Sequence, residues 1–170
     1  MRLISHRGNL HGPNKEEENK IEYVLNALHK GYDVEIDVWY IGGIIYLGHD
    51  MPQYEVPEFK FFTENKDRLW CHCKNIQALD ILLPLGIHCF VHDKDIATLT
   101  SQNYVWLYPC NNIETNNSIC VLPEWFDFNV KNIETAVGIC TDHVEFTRYK
   151  YNTNVPIRSI HHISKEDELP

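Results

Sequence analysis

Excess positive charge is the first thing this chain lacks: its formal net charge is −9. A protein that grips a nucleic-acid backbone needs a basic patch that releases counterions, so nucleic acid is not expected as the main partner. A small phosphorylated molecule, which needs only one or two local cations or a metal, stays open. Long apolar runs are also missing, and none approaches the length that spans a bilayer. The opening Met1-Arg2-Leu3-Ile4-Ser5-His6 has too short an apolar run for a secretory leader. The expectation is a protein without a membrane span, located in the cytoplasm. No Gly-rich phosphate fingerprint follows the first strand, only Arg7-Gly8, which argues against a dinucleotide site. Internal repeats and low-complexity segments are absent.

What is there suits one domain: 170 residues, 44% hydrophobic and 23% charged. The six cysteines (Cys71, Cys73, Cys89, Cys110, Cys120, Cys140) mostly lie in apolar, strand-like runs. In a cytosolic chain they read as buried thiols packed as small hydrophobes rather than as a disulfide framework.

Leu3-Ile4-Ser5 reads as a strand ending at His6. Ile21, Val24, Leu25 and Leu28 fall on one helical face, so 17–30 reads as a helix stopped by Gly31. The β-branched run 32–40 and the run 44–47 read as strands around the Gly42-Gly43 turn. A connection over 51–67, with a short helix at 58–65, leads to a strand at 69–73 and a helix at 76–83. Strands follow at 87–91, 104–108, 119–122 and 137–140, with helices at 95–100 and 144–149. Residues 1–151 form the expected domain, and 152–170 a polar tail. Strands alternating with helices imply a parallel sheet, and eight strand candidates imply an α/β fold, a compact, shortened (β/α)8 TIM-type barrel. An open doubly wound sheet is the alternative, which the short length favours.

Chemistry-bearing residues cluster at the strand ends. His6-Arg7-Gly8 closes the first strand, Glu35-Ile36-Asp37 lies on the second, and Gly48-His49-Asp50 closes the third. Side chains alternate along a strand, so Glu35 and Asp37 share one face while Val34, Ile36 and Val38 share the other. Buried carboxylates without a cation are costly, so the pair reads as metal-ligating. The two histidines read as proton carriers. His72 in Cys71-His72-Cys73 reads equally as a ligand or a core histidine. A zinc site on all three is disfavoured, because neighbours on a strand face opposite ways. Lys74 reads as a phosphate contact or a surface charge. Asp142 in Thr141-Asp142 reads as a helix cap. Trp106, Tyr108 and Trp125 read as core or rim aromatics.

The ordered series His6-Arg7-Gly8, Glu18-Asn19, Glu35-x-Asp37, His49-Asp50, His72-Cys73-Lys74 and Thr141-Asp142 resembles the glycerophosphodiester phosphodiesterase family, within the phospholipase C-like phosphodiesterases. The likeness covers about the first 75 residues and the last strand. It implies a (β/α)8 barrel acting in lipid metabolism on a small-molecule phosphodiester. It also implies a divalent cation, Mg²⁺ or Ca²⁺, on the Glu35 and Asp37 positions, and His6 and His49 as acid and base. Arg7 and Lys74 match the family's phosphate-side cations, and Glu18 its brace for the arginine. The sequence departs from the family at His72, where a carboxylate is usual. A neutral, softer ligand there moves the preference toward Mn²⁺ or Zn²⁺. The segment after Asp50 is also short, which implies a shallow pocket or one completed by another subunit. Two other readings remain: a non-catalytic barrel that binds a phosphorylated ligand, and a phosphomonoesterase using the same metal site.

Overall fold

Alternation along one strand sets the architecture. The computed structural model describes residues 1–109, 111, 115–129 and 133–151. Its longest strand, β2 (Asp33–Ile41), follows β1 (Arg2–His6) and α1 (Ile21–His29). Val34, Ile36 and Val38 of β2 are fully buried in the larger core, with Val24, Ala27 and Leu28 of α1. Glu35 and Asp37 point the other way and are buried as well.

The chain continues through β3 (Ile44–Leu47), β4 (Tyr54–Glu55), α2 (Lys60–Asn65), β5 (Leu69–Cys73) and α3 (Ile76–Leu82). It then runs through β6 (Cys89–Phe90), β7 (Ala97–Leu99), β8 (Val105–Leu107), β9 (Ser118–Val121), β10 (Gly138–Thr141) and α4 (Val144–Tyr151). Neighbouring strands in the order β6-β5-β2-β1-β10-β9-β8 are all parallel. The β2–β3, β3–β4 and β7–β8 pairs are antiparallel.

This sheet is strongly curled. Six strand spacings separate β6 from β8, roughly 29 Å if the sheet were flat. Yet the rings of Phe90 on β6 and Trp106 on β8 lie 4.7 Å apart, centroid to centroid. Ile4, Trp70, Phe90, Trp106, Ile119, Val121 and Cys140 form the apolar cluster on the concave side. A backbone bond from Ser101 N–H to the Cys89 carbonyl, 2.9 Å, helps draw the ends of the curl together.

The fold is thus mixed α/β with a curled sheet and few helices, and several sequence expectations change. The helix expected at 95–100 is instead β7. Ala97, Thr98 and Leu99 pair with Leu107, Trp106 and Val105, so a segment too short for a stable helix finds its backbone partners in a hairpin. The Gly42-Gly43 turn does fold β3 straight back onto Val38–Ile41, as the sequence reads, and this hairpin interrupts the alternation of strand and helix. The first helix starts at Ile21, not residue 17, because Asn19 takes a left-handed backbone (φ 66°) and Lys20 is extended.

Cys110, His161, His162 and the expected tail 152–170 lie outside the described residues. The other five cysteines are buried thiols. Cys71 and Cys73 face the helix side while His72 faces inward, so the three do not share an ion. Among the described residues, no helix is long and apolar enough to cross a membrane.

The concave cluster predicts where stability resides. Trp70 is 1% exposed and packs on Trp106 and Tyr104. Replacing it with alanine should remove about 3–5 kcal/mol in urea unfolding followed by circular dichroism. Trp125→Ala, at a position 60% exposed, should change stability by less than about 0.5 kcal/mol. Comparable losses in the two variants would contradict the curled core.

Candidate active site

Above the apolar floor, the carboxyl ends of β1, β2, β5, β6 and β10 bring polar side chains together. β1 ends in His6, and a left-handed pair, Arg7 (φ 54°) and Gly8 (φ 91°), turns the chain sharply. Glycine is required at 8, because a Cβ there would sit 2.7 Å from the Tyr23 ring. The turn lays Arg7 over β2. Its Nε is 2.9 Å from Asp37 Oδ2, a close ion pair whose N–H is not aimed at that oxygen, and its Nη1 is 3.1 Å from Glu18 Oε2.

His6 Nδ1 and Asp142 Oδ1 are 2.7 Å apart, and His6 Nε2 is 3.8 Å from Glu35 Oε2. The Asn9 carboxamide donates to both Asp142 and Glu18, at 2.8 and 2.9 Å. Asn19, held left-handed before α1, donates from Nδ2 to Asp37 Oδ2 at 3.0 Å. Its Oδ1 accepts the Asp37 backbone N–H at 2.9 Å. Asp37 Oδ1 faces His72 Nδ1 at 3.0 Å and Lys74 Nζ at 3.5 Å.

The donor set fits a cation. One oxygen or nitrogen from each of Glu35, Asp37 and His72 lies within 4.8 Å of the others. His72 Nε2 is 2.9 Å from the His92 carbonyl, which can only accept, so Nε2 carries a proton. Nδ1 faces Asp37 Oδ1 at 3.0 Å, where it donates when the ring is charged and offers its lone pair when the ring is neutral. Asp37 Oδ1 and Glu35 Oε2 are buried and receive no aligned hydrogen bond. Four carboxylates (Glu18, Glu35, Asp37, Asp142) here face two permanent cations, Arg7 and Lys74, together with the His6 and His72 imidazoles.

These surroundings separate the protonation of neighbours. Burial and the Asp37 charge push Glu35 upward. Asp37, although buried, is held far below the usual carboxylate range by His72, Arg7 and Lys74. Burial works against charge on His6, but Asp142 and Glu35 raise it above an ordinary histidine. His49 is lowered, by burial and by the Arg7 and Lys74 charges, with Asp37 opposing.

His49 differs from His6 in its support as well. Its Nδ1 is 2.7 Å from Asp50, an exposed carboxylate. The hairpin end that carries it is tied to β2 by the Gly48 N–H on the Asp37 carbonyl, 3.1 Å, and by the Trp39 indole on the Gly48 carbonyl, 2.7 Å. The structure therefore joins His6, Arg7, Glu18, Glu35, Asp37, His72 and Lys74 through direct contacts. His49 joins through its charge environment and this backbone link.

Asp142, read from sequence as a cap, is the partner of the His6 imidazole, and Glu124 Oε1 accepts its backbone N–H at 2.7 Å. Its place immediately after the last strand, at the same end as the other polar residues, was the available signal. Asn9 and His92 carry no motif. Trp106 lies in the concave cluster, while Tyr108 and Trp125 are exposed. No family model, no curated protein and no solved structure matches this chain.

The His6–Asp142 pair predicts a pH-dependent stability. Asp142 is lowered by the His6 contact against its burial, so its contribution is present above its ordinary value of about 4 and fades as pH falls through the folded value. His6 is raised, so its contribution is full below about pH 6.5 and fades as pH rises through the folded value. Asp142→Asn should therefore destabilise by about 2 kcal/mol near pH 5.5 and by less near pH 9, measured by urea unfolding. An equal loss at both pH values would contradict the charged pair.

Proposed function

We propose that this chain is a metal-dependent phosphodiesterase of the glycerophosphodiester type, on a shortened (β/α)8-type barrel. One observation carries the reading. Nδ1 of His72 and the buried carboxylates of Glu35 and Asp37, each with one oxygen that receives no aligned hydrogen bond, gather beside Arg7 and Lys74, with a histidine braced by a carboxylate at the edge. Glu35, Asp37 and His72 would hold the divalent cation, which supplies charge neutralisation for the phosphoryl oxygens. A nitrogen ligand at 72 suits Mn²⁺ or Zn²⁺ better than Mg²⁺ or Ca²⁺.

The protein groups do the rest. Arg7 and Lys74, side by side over Asp37, bind the phosphoryl oxygens. His49, the histidine that holds a proton more weakly, takes the proton of the attacking hydroxyl or water. His6, which holds a proton more firmly and is oriented by Asp142, gives its proton to the leaving alkoxide. The opposite displacement of the two histidines matches this division of labour.

A second reading is a non-catalytic barrel that binds a phosphorylated ligand. It draws on the same Asp37, whose oxygens already meet Arg7, Lys74 and Asn19 and so have part of their charge answered from within. A phosphomonoesterase has no separate observation in its favour.

The test is turnover of a generic phosphodiester with Mg²⁺, Mn²⁺, Ca²⁺ and Zn²⁺ each supplied to metal-free protein. The enzyme reading expects activity with at least one. Silence with all four, in folded protein, selects the binder. In the active case His6→Ala and His49→Ala should each lose about 10²-fold or more in kcat. The profile of kcat/KM should rise as His49 deprotonates, below its ordinary value of about 6.5, and fall as His6 deprotonates, above it. His49→Ala should erase the acid limb and His6→Ala the alkaline limb. Near-normal rates in either variant would remove that residue from the mechanism.

A further inference from the structure

Asp37 is held by two kinds of neighbour. Asn19 makes two hydrogen bonds with it, from Nδ2 to Oδ2 at 3.0 Å and through Oδ1 to its backbone N–H at 2.9 Å. Arg7 and Lys74 are attached through charge, without an aligned hydrogen bond. Arg7 Nε stands 2.9 Å from Oδ2, yet its N–H is buried and finds no acceptor among the described residues. Lys74 Nζ stands 3.5 Å from Oδ1, an oxygen that receives no aligned hydrogen bond. Arg7 is anchored elsewhere on its guanidinium, by Nη1 on Glu18 at 3.1 Å, and Asn9 holds Glu18 at 2.9 Å. The guanidinium can therefore stay seated on Glu18 while its Nε–H serves another acceptor.

These two cations stand where a divalent ion needs the Asp37 carboxylate for itself. An ion on Oδ1 would share that oxygen with Lys74 and lie in the field of Arg7, so like charges oppose it. A phosphoryl anion reverses the balance. Its oxygens accept, the Arg7 Nε–H and the Lys74 ammonium donate, and charge-assisted contacts of this kind are the strong ones. Each cation that turns to the phosphoryl group uncovers Asp37. An uncovered Asp37 beside the buried Glu35, whose Oε2 also receives no aligned hydrogen bond, is a pair of like charges that only a cation relieves.

We propose that Arg7 and Lys74 are exchange cations: they neutralise Asp37 in the ligand-free chain and pass to the phosphoryl group when it binds, so that the divalent cation and the phosphoryl anion enter the site as a coupled pair. This rests on the reading of the mouth as a metal and phosphoryl site and adds how its occupancy is regulated. Metal alone is held weakly, and each ligand raises the affinity of the other by the same factor. Coupling through the uncovered carboxylate has a signature that a direct bond between the two ligands lacks. Removing the Lys74 charge uncovers Asp37 in advance, so metal alone binds more tightly and less coupling remains.

The test is Mn²⁺ binding to the full chain, read from the electron paramagnetic resonance of the free ion, with inorganic phosphate absent and then saturating. Phosphate binding is measured by titration calorimetry with Mn²⁺ absent and present. In the native chain each ligand should tighten the other by at least about tenfold, with the two factors equal. Lys74→Met should bind Mn²⁺ alone at least about fivefold more tightly than the native chain, and its coupling factor should fall by a similar amount. Lys74→Gln serves if the Met variant fails to fold, and Lys74→Arg, which keeps the charge, should behave as the native chain does. A Mn²⁺ affinity that phosphate leaves unchanged in the native chain overturns the inference and leaves the metal site standing. Coupling that survives intact in the uncharged variants, with no gain for metal alone, overturns it too, because the coupling then runs through direct contact between the ligands. Failure of Mn²⁺ to bind even with phosphate present overturns the metal reading and this inference with it.

Discussion

The burial of Glu35 and Asp37 on the concave face of β2 is the constraint on which the rest depends. Two carboxylates two residues apart on one strand necessarily share a face, and here that face is closed off from water. Two like charges in such a place are unfavourable unless countercharge and hydrogen bonds arrive from elsewhere. Much of the molecule at this end is arranged to supply them. The left-handed turn after β1 delivers Arg7, the left-handed Asn19 delivers a carboxamide, and β5 delivers His72 and Lys74. Asp37 gains most of this countercharge, yet its Oδ1 and Glu35 Oε2 receive no aligned hydrogen bond, which makes the pair a candidate for binding rather than for structure alone.

The same constraint shifts the two histidines in opposite directions. His6 is buried beside two carboxylates and is raised above an ordinary histidine, whereas His49 is lowered by its burial and by the Arg7 and Lys74 charges. Neither outcome needs a special residue. Each follows from which strand end the imidazole stands on and whose charge it meets. The apolar floor of Ile4, Trp70, Phe90 and Trp106 keeps water from entering below and keeps these electrostatic differences large.

Much of the strand and helix order was legible in the sequence because it rests on period. The alternation in β2 separates Val34, Ile36 and Val38 from Glu35 and Asp37 without any knowledge of the fold, and the helical spacing of Val24, Leu25 and Leu28 marks α1. The segment at 95–100 was not legible. Ala-Thr-Leu carries no period of its own, and only the presence of Val105–Leu107 opposite makes it a strand. Strand ends located most of the polar cluster, including Asp142, but its role was misread because a cap and a histidine partner look alike in sequence. Asn9, Asn19 and His92 act through backbone geometry at a left-handed turn or a carbonyl contact, which residue identity does not encode.

The central claim is that one mouth gathers acid, base, cation and phosphoryl contacts around a single phosphorus atom. A crystal structure of the full chain soaked in Mn²⁺ and inorganic phosphate tests it most directly. The account predicts metal density on Glu35, Asp37 and His72, with phosphate against Arg7 and Lys74 and within reach of the His6 and His49 rings. Phosphate bound elsewhere, with Glu35 hydrogen-bonded to ordered water and no metal beside it, would contradict it.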